Sequence, residues 1–432
     1  MSCLIHSIIF SFISIIAFYE SLYGILQILG LKESGHSCFI MTGLFDNPGP
    51  YGGLIAILLA LLGAYIIYNI NDKKLFIKGI VISSAISCIM CLIVLPVSMS
   101  RAAWVALGVA ALVFGFKELR LAEWIRKHKI VATITSIIVI LAVIGVFFLK
   151  KDSAIGRLHI WHMELRAIAE ESLTGHGKGS VLGVYGDTQA QYFTEKERPE
   201  IITKVAGCPE YAFNEYLKIG VEYGIPAMLG VIVGLIIVIA LLLKFRSPFA
   251  YGLIAFCVFA FFSYPLEAIH IKSDAEKKWD SIRYLSSMEL YEDAVEELAP
   301  LYDDLKDNYR YMYDYGYALY RCKRYQESTD ILKDGAAISS DPMFYNIIGR
   351  NKEAMGLYEE AEQAYLHAHY MVPQRLYPLT LLMHMHIRLG NNNKAMRYGK
   401  MILDKPVNER HRTMLRLQAN ARHCVDSLIY TF

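Results

Sequence analysis

Stretches of about 18–20 apolar residues recur through the first 270 residues of the chain. An α-helix of that length crosses a hydrocarbon core of about 30 Å. The composition is 55% hydrophobic and only 19% charged, which is too apolar for an ordinary soluble domain. The sequence therefore predicts an all-α fold, in which a polytopic membrane domain is followed by a polar helical tail.

Seven segments are predicted to span the membrane, namely 4–29, 51–70, 79–97, 102–116, 130–149, 226–243 and 249–268. Three connectors carry clustered Lys and Arg, at 71–78, 117–129 and 244–246. The positive-inside rule places these three connectors in the cytoplasm. Alternation then places the other connectors on the outer side, namely 30–50, 98–101, 150–225 and everything after residue 269.

The polar tail contains a recurring four-residue word. The last positions of its four copies, Ala294, Ser328, Ala361 and Ala395, are spaced 34, 33 and 34 residues apart. This period resembles tetratricopeptide repeats, which are helical hairpins that stack into a solenoid; an unrelated helical bundle is the alternative. We expect a membrane domain at 1–270, with a large outer loop at 150–225, and a repeat domain at 271–432.

The charge balance argues against a nucleic-acid partner. The 43 Lys and Arg residues nearly equal the 41 Asp and Glu residues, for a net charge of +2. The basic residues are spread over connectors and do not form one stripe. Membrane lipids are instead the expected surroundings of the first domain.

Two groups of polar residues and glycines precede predicted spans, where polar side chains are costly and therefore informative. The first, Phe45–Gly53, is a capping turn or a site to which Asn47 contributes substrate contacts. The second is Ser100-Arg101, in a connector of three or four residues. There the Arg101 guanidinium is expected to grip phosphate oxygens in a bidentate fork, or else to extend to lipid headgroups.

The third group opens the long outer loop. Arg157 and Trp161 lie in the segment Gly156–Trp161, after which a helix is expected to continue to about Glu171. His159 and His162 share a helix face but have no third ligand at a convincing spacing, so no metal site is predicted.

A glycine-rich turn follows in the same loop, Gly175-His176-Gly177-Lys178-Gly179. Its backbone N–H groups and Lys178 are expected to approach an anion, unless the segment is a plain flexible turn. It is not a nucleotide-binding loop, because Gly179 stands where Ser or Thr must follow the lysine.

The fourth group is Glu210–Leu217, running to Glu222-Tyr223-Gly224, directly before the sixth span. It is either an amphipathic segment along the membrane surface or a source of a proton-accepting carboxylate, Glu210 or Glu215. Tyr211 and Asn214 are the candidate substrate-binding residues of this group.

In this order and spacing, the four groups resemble the O-antigen ligase family of integral-membrane glycosyltransferases, which includes O-antigen polymerases. The resemblance covers roughly residues 15–268, and similar proteins with a tetratricopeptide tail occur in the Bacteroidetes. It implies glycan transfer from an undecaprenyl-pyrophosphate carrier to an acceptor hydroxyl at the periplasmic face of the bacterial inner membrane. The acceptor would be lipid A core, a protein or another glycan.

The same resemblance assigns roles to residues. Arg101 and Arg157 match the functional arginine pair of the family, which stabilises the departing pyrophosphate. The outer-face aspartates before the repeats form no D-x-D motif, which agrees with a metal-independent reaction, and no cofactor is expected. The repeats are expected in the periplasm, where they would hold an acceptor protein or an assembly partner.

The chain departs from the family pattern at two points. Phe213 stands where the family usually has a His, so Glu210 or Glu215 supplies the base or the acceptor is oriented without one. Members also commonly carry several further spans before the first one seen here, which leads us to expect an N-terminal truncation. Two alternatives to a ligase follow, a polysaccharide polymerase and a non-catalytic membrane-anchored repeat scaffold.

Overall fold

The structure, a computed structural model, describes residues 2–149, 151–268, 272–406 and 411–429. Within those ranges the chain is helical and forms no strand, which confirms the predicted all-α class. The helices are α1 (Ser2–Ile28), α2 (Pro48–Asn69), α3 (Leu75–Val97), α4 (Arg101–Glu118), α5 (Leu121–Lys127), α6 (Lys129–Leu149), α7 (Lys151–Glu170), α8 (Val181–Glu195), α9 (Glu200–Val205), α10 (Glu215–Lys244), α11 (Phe249–Phe262), α12 (Asp274–Ser287), α13 (Tyr291–Leu298), a 3-10 turn (Ala299–Leu301), α14 (Tyr302–Leu305), α15 (Tyr309–Arg321), α16 (Tyr325–Ala336), α17 (Met343–Ala354), α18 (Tyr358–Met371), α19 (Tyr377–Arg388), α20 (Asn392–Leu403) and α21 (Arg412–Ile429).

The chain divides into two compact units. The first, the apolar unit, comprises residues 1–149, 213–219 and 226–270. The second, the polar unit, comprises residues 150–212, 220–225 and 271–432. The sequence analysis grouped the loop at 150–225 with the membrane domain, whereas the contacts place most of that loop with the repeats.

Helix α2 lies at the centre of the apolar unit, where it contacts α1, α3, α4 and α11. Close approach at these contacts depends on small residues. A Cβ atom added at Gly53 would lie 2.3 Å from the ring of Phe259, which follows from the direct packing of α2 against α11. Helix α4 buries one face made of small side chains, Ala102, Ala103, Ala106 and Ala110.

Each of the seven predicted spans coincides with an apolar helix, and crossing a membrane further requires about 18 or more consecutive, mostly apolar residues in that helix. Among the described residues, four meet that requirement: His6–Ile28, Pro48–Asn69, Leu75–Val97 and Glu215–Lys244. The pair α4 and α5, bent by 84°, raises the number to five if it counts as one span. Helix α11 has 14 residues, or about 21 Å, which is shorter than the hydrocarbon core. Side chains of much of α6, the fifth predicted span, lie outside the described residues.

Two boundaries differ from the sequence prediction. Helix α7 begins at Lys151, so Gly156 and Arg157 lie inside the helix and not before it. Helix α10 begins at Glu215, well before the predicted span, and is interrupted at Gly224. Gly224 has φ 81°, a left-handed conformation that glycine adopts without strain, and Pro226 follows it. The predicted start of the sixth span at residue 226 corresponds to the helix beyond this break.

The tail of the polar unit is a stack of helical hairpins. The four copies of the recurring word begin α13, α16, α18 and α20, the second helix of each hairpin. In every copy the residue five positions before the aligned fourth residue has a left-handed φ, between 62° and 78°. Glycine occupies this position in the third and fourth copies, whereas Glu289 and Lys323 occupy it in the first two. The same turn therefore closes all four first helices, as a left-handed residue just beyond a helix end does in general.

Candidate functional site

In the apolar unit, α2 and α4 begin side by side. Asn47 caps α2, and its side-chain oxygen accepts a hydrogen bond from the Gly49 N–H at 2.8 Å. The Ser100 hydroxyl donates to the carbonyl oxygen of Gly49 at 3.3 Å. Arg101 is the first residue of α4 and is half-buried. Two of the four predicted groups thus adjoin in space.

This arrangement favours an anion. The N-terminus of a helix carries about half a positive elementary charge and unsatisfied N–H groups, which bind phosphate and carboxylate. The start of α4 is such an end, and Arg101 there adds a guanidinium that is always charged. The adjoining start of α2 offers few donors, because Pro48 and Pro50 have no N–H and the Gly49 N–H already bonds to Asn47. A Cβ atom at Gly52 would lie 2.6 Å from the Ser98 hydroxyl, so only glycine allows α2 to approach the 98–101 segment this closely.

The start of α10 holds two further candidates in the apolar unit. Asn214 is 2% exposed and caps α10 by accepting from the N–H groups of Tyr216 and Leu217, at 3.0 and 3.1 Å. Glu215 is 5% exposed and accepts from the Leu266 N–H at 3.0 Å. Phe213 has φ 56° and lies edge-on to Tyr264, with the ring centroids 5.3 Å apart.

In the polar unit, Arg157 and Trp161 are four residues apart on α7, hence on one helix face, and both are half-buried. A neighbouring face of α7 is buried at His159, Met163 and Glu164. Packing of that face fixes the orientation of the helix and so the direction in which Arg157 and Trp161 project.

A buried glutamine connects α7 to the hairpin stack. Gln189, on α8, is 1% exposed, and its Oε1 accepts from His159 Nε2 at 2.7 Å and from the Tyr185 hydroxyl at 2.6 Å. Its Nε2 donates to the carbonyl oxygen of Gly207 at 2.9 Å and to that of Met371, at the end of α18. Since Oε1 only accepts, His159 carries its proton on Nε2.

Burial disfavours the charged form of two ionisable groups of α7. It lowers the pKa of His159, because a buried imidazolium loses its hydration. It raises the pKa of Glu164 well above its usual range for the same reason. The Oε2 atom of Glu164 has no hydrogen-bond partner among the described residues.

The glycine-rich turn binds a carboxylate of the chain itself. The Gly179 N–H donates to Oε1 of Glu222 at 3.0 Å, and the Gly177 N–H donates to the Glu222 carbonyl at 3.0 Å. A Cβ atom at Gly175 would lie 2.5 Å from the backbone of Glu222. The Gly177 and Gly179 N–H groups are thus already bonded to Glu222, which favours the alternative of a plain turn over a site for an external anion. Lys178 is exposed on the same turn.

The end of the outer loop also packs on the repeats within the polar unit. Glu210 accepts from Arg310 at 2.9 Å, and both side chains are more than half exposed. The Ser340 hydroxyl donates to the Pro209 carbonyl at 2.6 Å. Tyr211 lies half-buried next to this contact segment.

The nine predicted site residues thus fall into two sets. Asn47, Arg101, Asn214 and Glu215 belong to the apolar unit, and Arg157, Trp161, Lys178, Glu210 and Tyr211 belong to the polar unit. Sequence reasoning missed the structural importance of Gln189 and Glu222. Tyr185 and Gln189 are spaced i, i+4 on α8, which was the available signal for a shared face.

A family comparison covers most of these groups. Residues 86–232 match the O-antigen ligase family model. The matched segment runs from the second half of α3 into α10 and includes Arg101, Arg157, the glycine-rich turn and Asn214. It supports a multi-pass membrane glycosyltransferase of the ligase or polymerase type, with lipid-linked glycan and acceptor substrates in general. No protein of curated function matches the chain.

Proposed function

We propose that the chain transfers a glycan from an undecaprenyl-pyrophosphate carrier to an acceptor hydroxyl at the periplasmic face of the bacterial inner membrane. The observation that carries this proposal is Arg101 at the start of α4, inside the segment that matches O-antigen ligases and bonded through Ser100 to the start of α2. Three basic connectors support an outer location for this end of α2 and α4.

In the proposed mechanism the attacking acceptor hydroxyl forms the new glycosidic bond while the bond to the pyrophosphate oxygen breaks. Negative charge then grows on the leaving pyrophosphate. Arg101 and the N-terminus of α4 stabilise that charge before the reaction begins, which is the main way proteins lower such barriers. The family resemblance assigns the same role to Arg157, and neither a metal nor a cofactor is required for this step.

The acceptor proton goes to a carboxylate, Glu210 or Glu215. Their contacts differ, since Glu210 is exposed and paired with Arg310 whereas Glu215 is buried on the Leu266 amide. Trp161, Lys178 and Tyr211 are assigned to glycan or carrier binding. Asn47 and Asn214 act on substrate through the helix ends they cap, because their side-chain oxygens already accept backbone N–H groups.

The tail is assigned as tetratricopeptide repeats in the periplasm. Its recurring left-handed turn and its period of 33–34 residues support this assignment. Bound to the loop at 150–212, the repeats would hold an acceptor protein or an assembly partner close to that loop.

The test is complementation of a deletion strain with wild type, Arg101→Ala, Arg157→Ala and the corresponding Lys variants. Removing one charge-stabilising donor is expected to lower transfer by about 10²–10³-fold, and Lys should restore little because it lacks the fork. Membrane insertion, followed by immunoblot of membrane fractions, should not change. Exposed Lys178→Ala is the matched control for loss of a positive charge, with a smaller expected effect.

The glycan profile separates the alternatives. A ligase defect accumulates carrier-linked glycan of full length, whereas a polymerase defect leaves single repeat units. Full complementation by both alanine variants would contradict the enzyme and favour the scaffold.

A further inference from the structure

A cavity of about 610 Å³ opens within the hairpin stack, far along the chain from the residues assigned to transfer. Side chains from α15 to α19 and their turns line it, so three successive hairpins contribute. Its volume lies in the range of small-molecule sites, about 300–1,000 Å³. It is therefore large enough for one or two sugar rings.

Three tyrosines form the aromatic part of the cavity, Tyr320, Tyr325 and Tyr358. Tyr358 is 43% exposed, which is unusual for so large a side chain in a well-packed stack. A pyranose ring has one face of C–H groups and a rim of hydroxyls. An aromatic ring with a polar tip complements both, because it covers the C–H face and hydrogen-bonds the rim.

The polar part of the cavity is held in place. Glu353 accepts two hydrogen bonds from Arg388, one of them from Nε at 3.1 Å, and a third from the Tyr365 hydroxyl at 3.1 Å. Planar, fixed side chains of this kind recognise neighbouring hydroxyls. His384 also lines the cavity, and burial together with Arg388 lowers its pKa, so that at pH 7 its ring both donates and accepts.

Arg350 provides the charge. Its Nη2 donates to the Tyr377 hydroxyl at 2.6 Å, a partner that leaves the positive charge uncompensated. No ion pair to Arg350 occurs within the part of the chain that the structure describes. With Arg388 compensated by Glu353, the cavity has a net positive charge and suits an anionic group.

We propose that this cavity binds an acidic saccharide, with Arg350 on its carboxylate or phosphate and the tyrosines on its ring faces. The choice of a saccharide over an acidic peptide rests on the proposed glycan transfer and on the ring-sized volume. The repeats would then hold a glycan directly, either the incoming donor chain or the acceptor.

The experiment uses the full-length chain in lipid nanodiscs and saturation-transfer NMR. The probes are the methyl glycosides of glucuronic and galacturonic acid, N-acetylneuraminic acid and glucose 1-phosphate, each compared with methyl glucoside. A charge-assisted contact predicts about tenfold tighter binding of at least one acidic probe than of the neutral one. Arg350→Met should abolish that preference, and Arg350→Lys should retain part of it.

Tyr358→Ala should weaken binding of all probes, whereas Tyr284→Ala, at a tyrosine 57% exposed outside the cavity, should not. Binding of none of the acidic probes would overturn the proposal. So would binding unchanged in both Arg350→Met and Tyr358→Ala, or displacement of a bound sugar from the cavity by a hexaglutamate peptide that binds more tightly. Sugar binding without glycan transfer would reject the proposed function alone, and transfer without sugar binding would reject only this inference.

Discussion

The two units use their polar groups differently. In the apolar unit the most apolar window of α10 has none of its residues buried, and α3 exposes Ile82, Ile86 and Ile89. The hydrogen bonds of this unit lie at helix ends, as with Asn47, Asn214 and the buried Gln27, and at contacts between helices, as between Ser14 and Ser87. In the polar unit the buried Gln189 likewise makes four hydrogen bonds that join separate elements, but the outer surface carries charged side chains, such as Glu210 and Arg310.

This difference follows from the solvent that each surface suits. A surface of aliphatic side chains is stable against lipid, where no water satisfies a polar group, so polar atoms are confined to ends and contacts. In water, the hairpins bury apolar faces and tolerate interior polar groups that are fully bonded. Candidate residues are therefore helix caps in one unit, and in the other they lie on elements that buried networks hold in place.

Deletion of residues 275–432 is the strongest way to test the assignment of the loop to the polar unit. The loop would lose the Met371 carbonyl that binds Gln189 and the Arg310 partner of Glu210. We expect transfer to be lost and trypsin to cleave 150–212 rapidly, while the apolar unit stays in the membrane. If the loop instead stays resistant to trypsin and only the choice of acceptor changes, the repeats have the docking role expected from the sequence.

Substitutions at Glu210 and Glu215 test which unit supplies the proton acceptor. Loss of a general base typically lowers the rate by about 10²–10⁴-fold. Each Glu→Gln change keeps the shape and a carbonyl oxygen, so Glu215→Gln still accepts from the Leu266 N–H. We expect one single variant to account for the loss seen in the double variant, measured as kcat with KM determined separately. Unchanged turnover in the double variant would exclude both carboxylates.

Gly183→Ala measures how tightly α8 packs against the repeats. A Cβ atom there would lie 2.1 Å from the Ala337 carbonyl oxygen, a backbone atom that cannot swing aside. We expect the free energy of unfolding of the polar unit to fall by about 3 kcal/mol, the upper end for overpacking. Gly108→Ala in α4 is the control, since nothing lies within 4 Å of its Cβ position. Equal stability of the two variants in urea denaturation would contradict the packing described.

The burial of His369 predicts that the polar unit is less stable in acid. Burial lowers its pKa to about 3, whereas an unfolded His titrates near 6.5, so the unfolded chain takes up the proton first. Stability is present above pH 6.5 and declines as pH falls toward 3. Between pH 7 and pH 5 we expect a loss of about 2 kcal/mol from this residue.

His369→Gln should remove that part of the pH slope, measured by urea denaturation at both pH values. His159 acts in the same direction, and Glu164, with its raised pKa, opposes both. Both remain in the variant, so the difference between the two slopes isolates His369. Identical slopes would show that His369 is not buried in the folded chain.

Local sequence information was enough to predict the helical class and the repeat. Apolar stretches, prolines and glycines act within a few residues of their own position, and so do caps such as Asn47. The recurring word was visible in the sequence because each hairpin packs in the same way and needs similar residues at the same positions. This holds even where Glu289 and Lys323 replace the glycine of the left-handed turn.

Only the tertiary structure decided which distant groups meet. Whether the glycine-rich turn binds an external anion depends on Glu222, which lies more than 40 residues away along the chain. No local sequence pattern indicates that contact. Gln189 and Met371 are 182 residues apart, yet their hydrogen bond ties the loop to the repeats. Such pairings depend on how whole helices pack, because burial, not spacing along the chain, determines which polar group must find a partner.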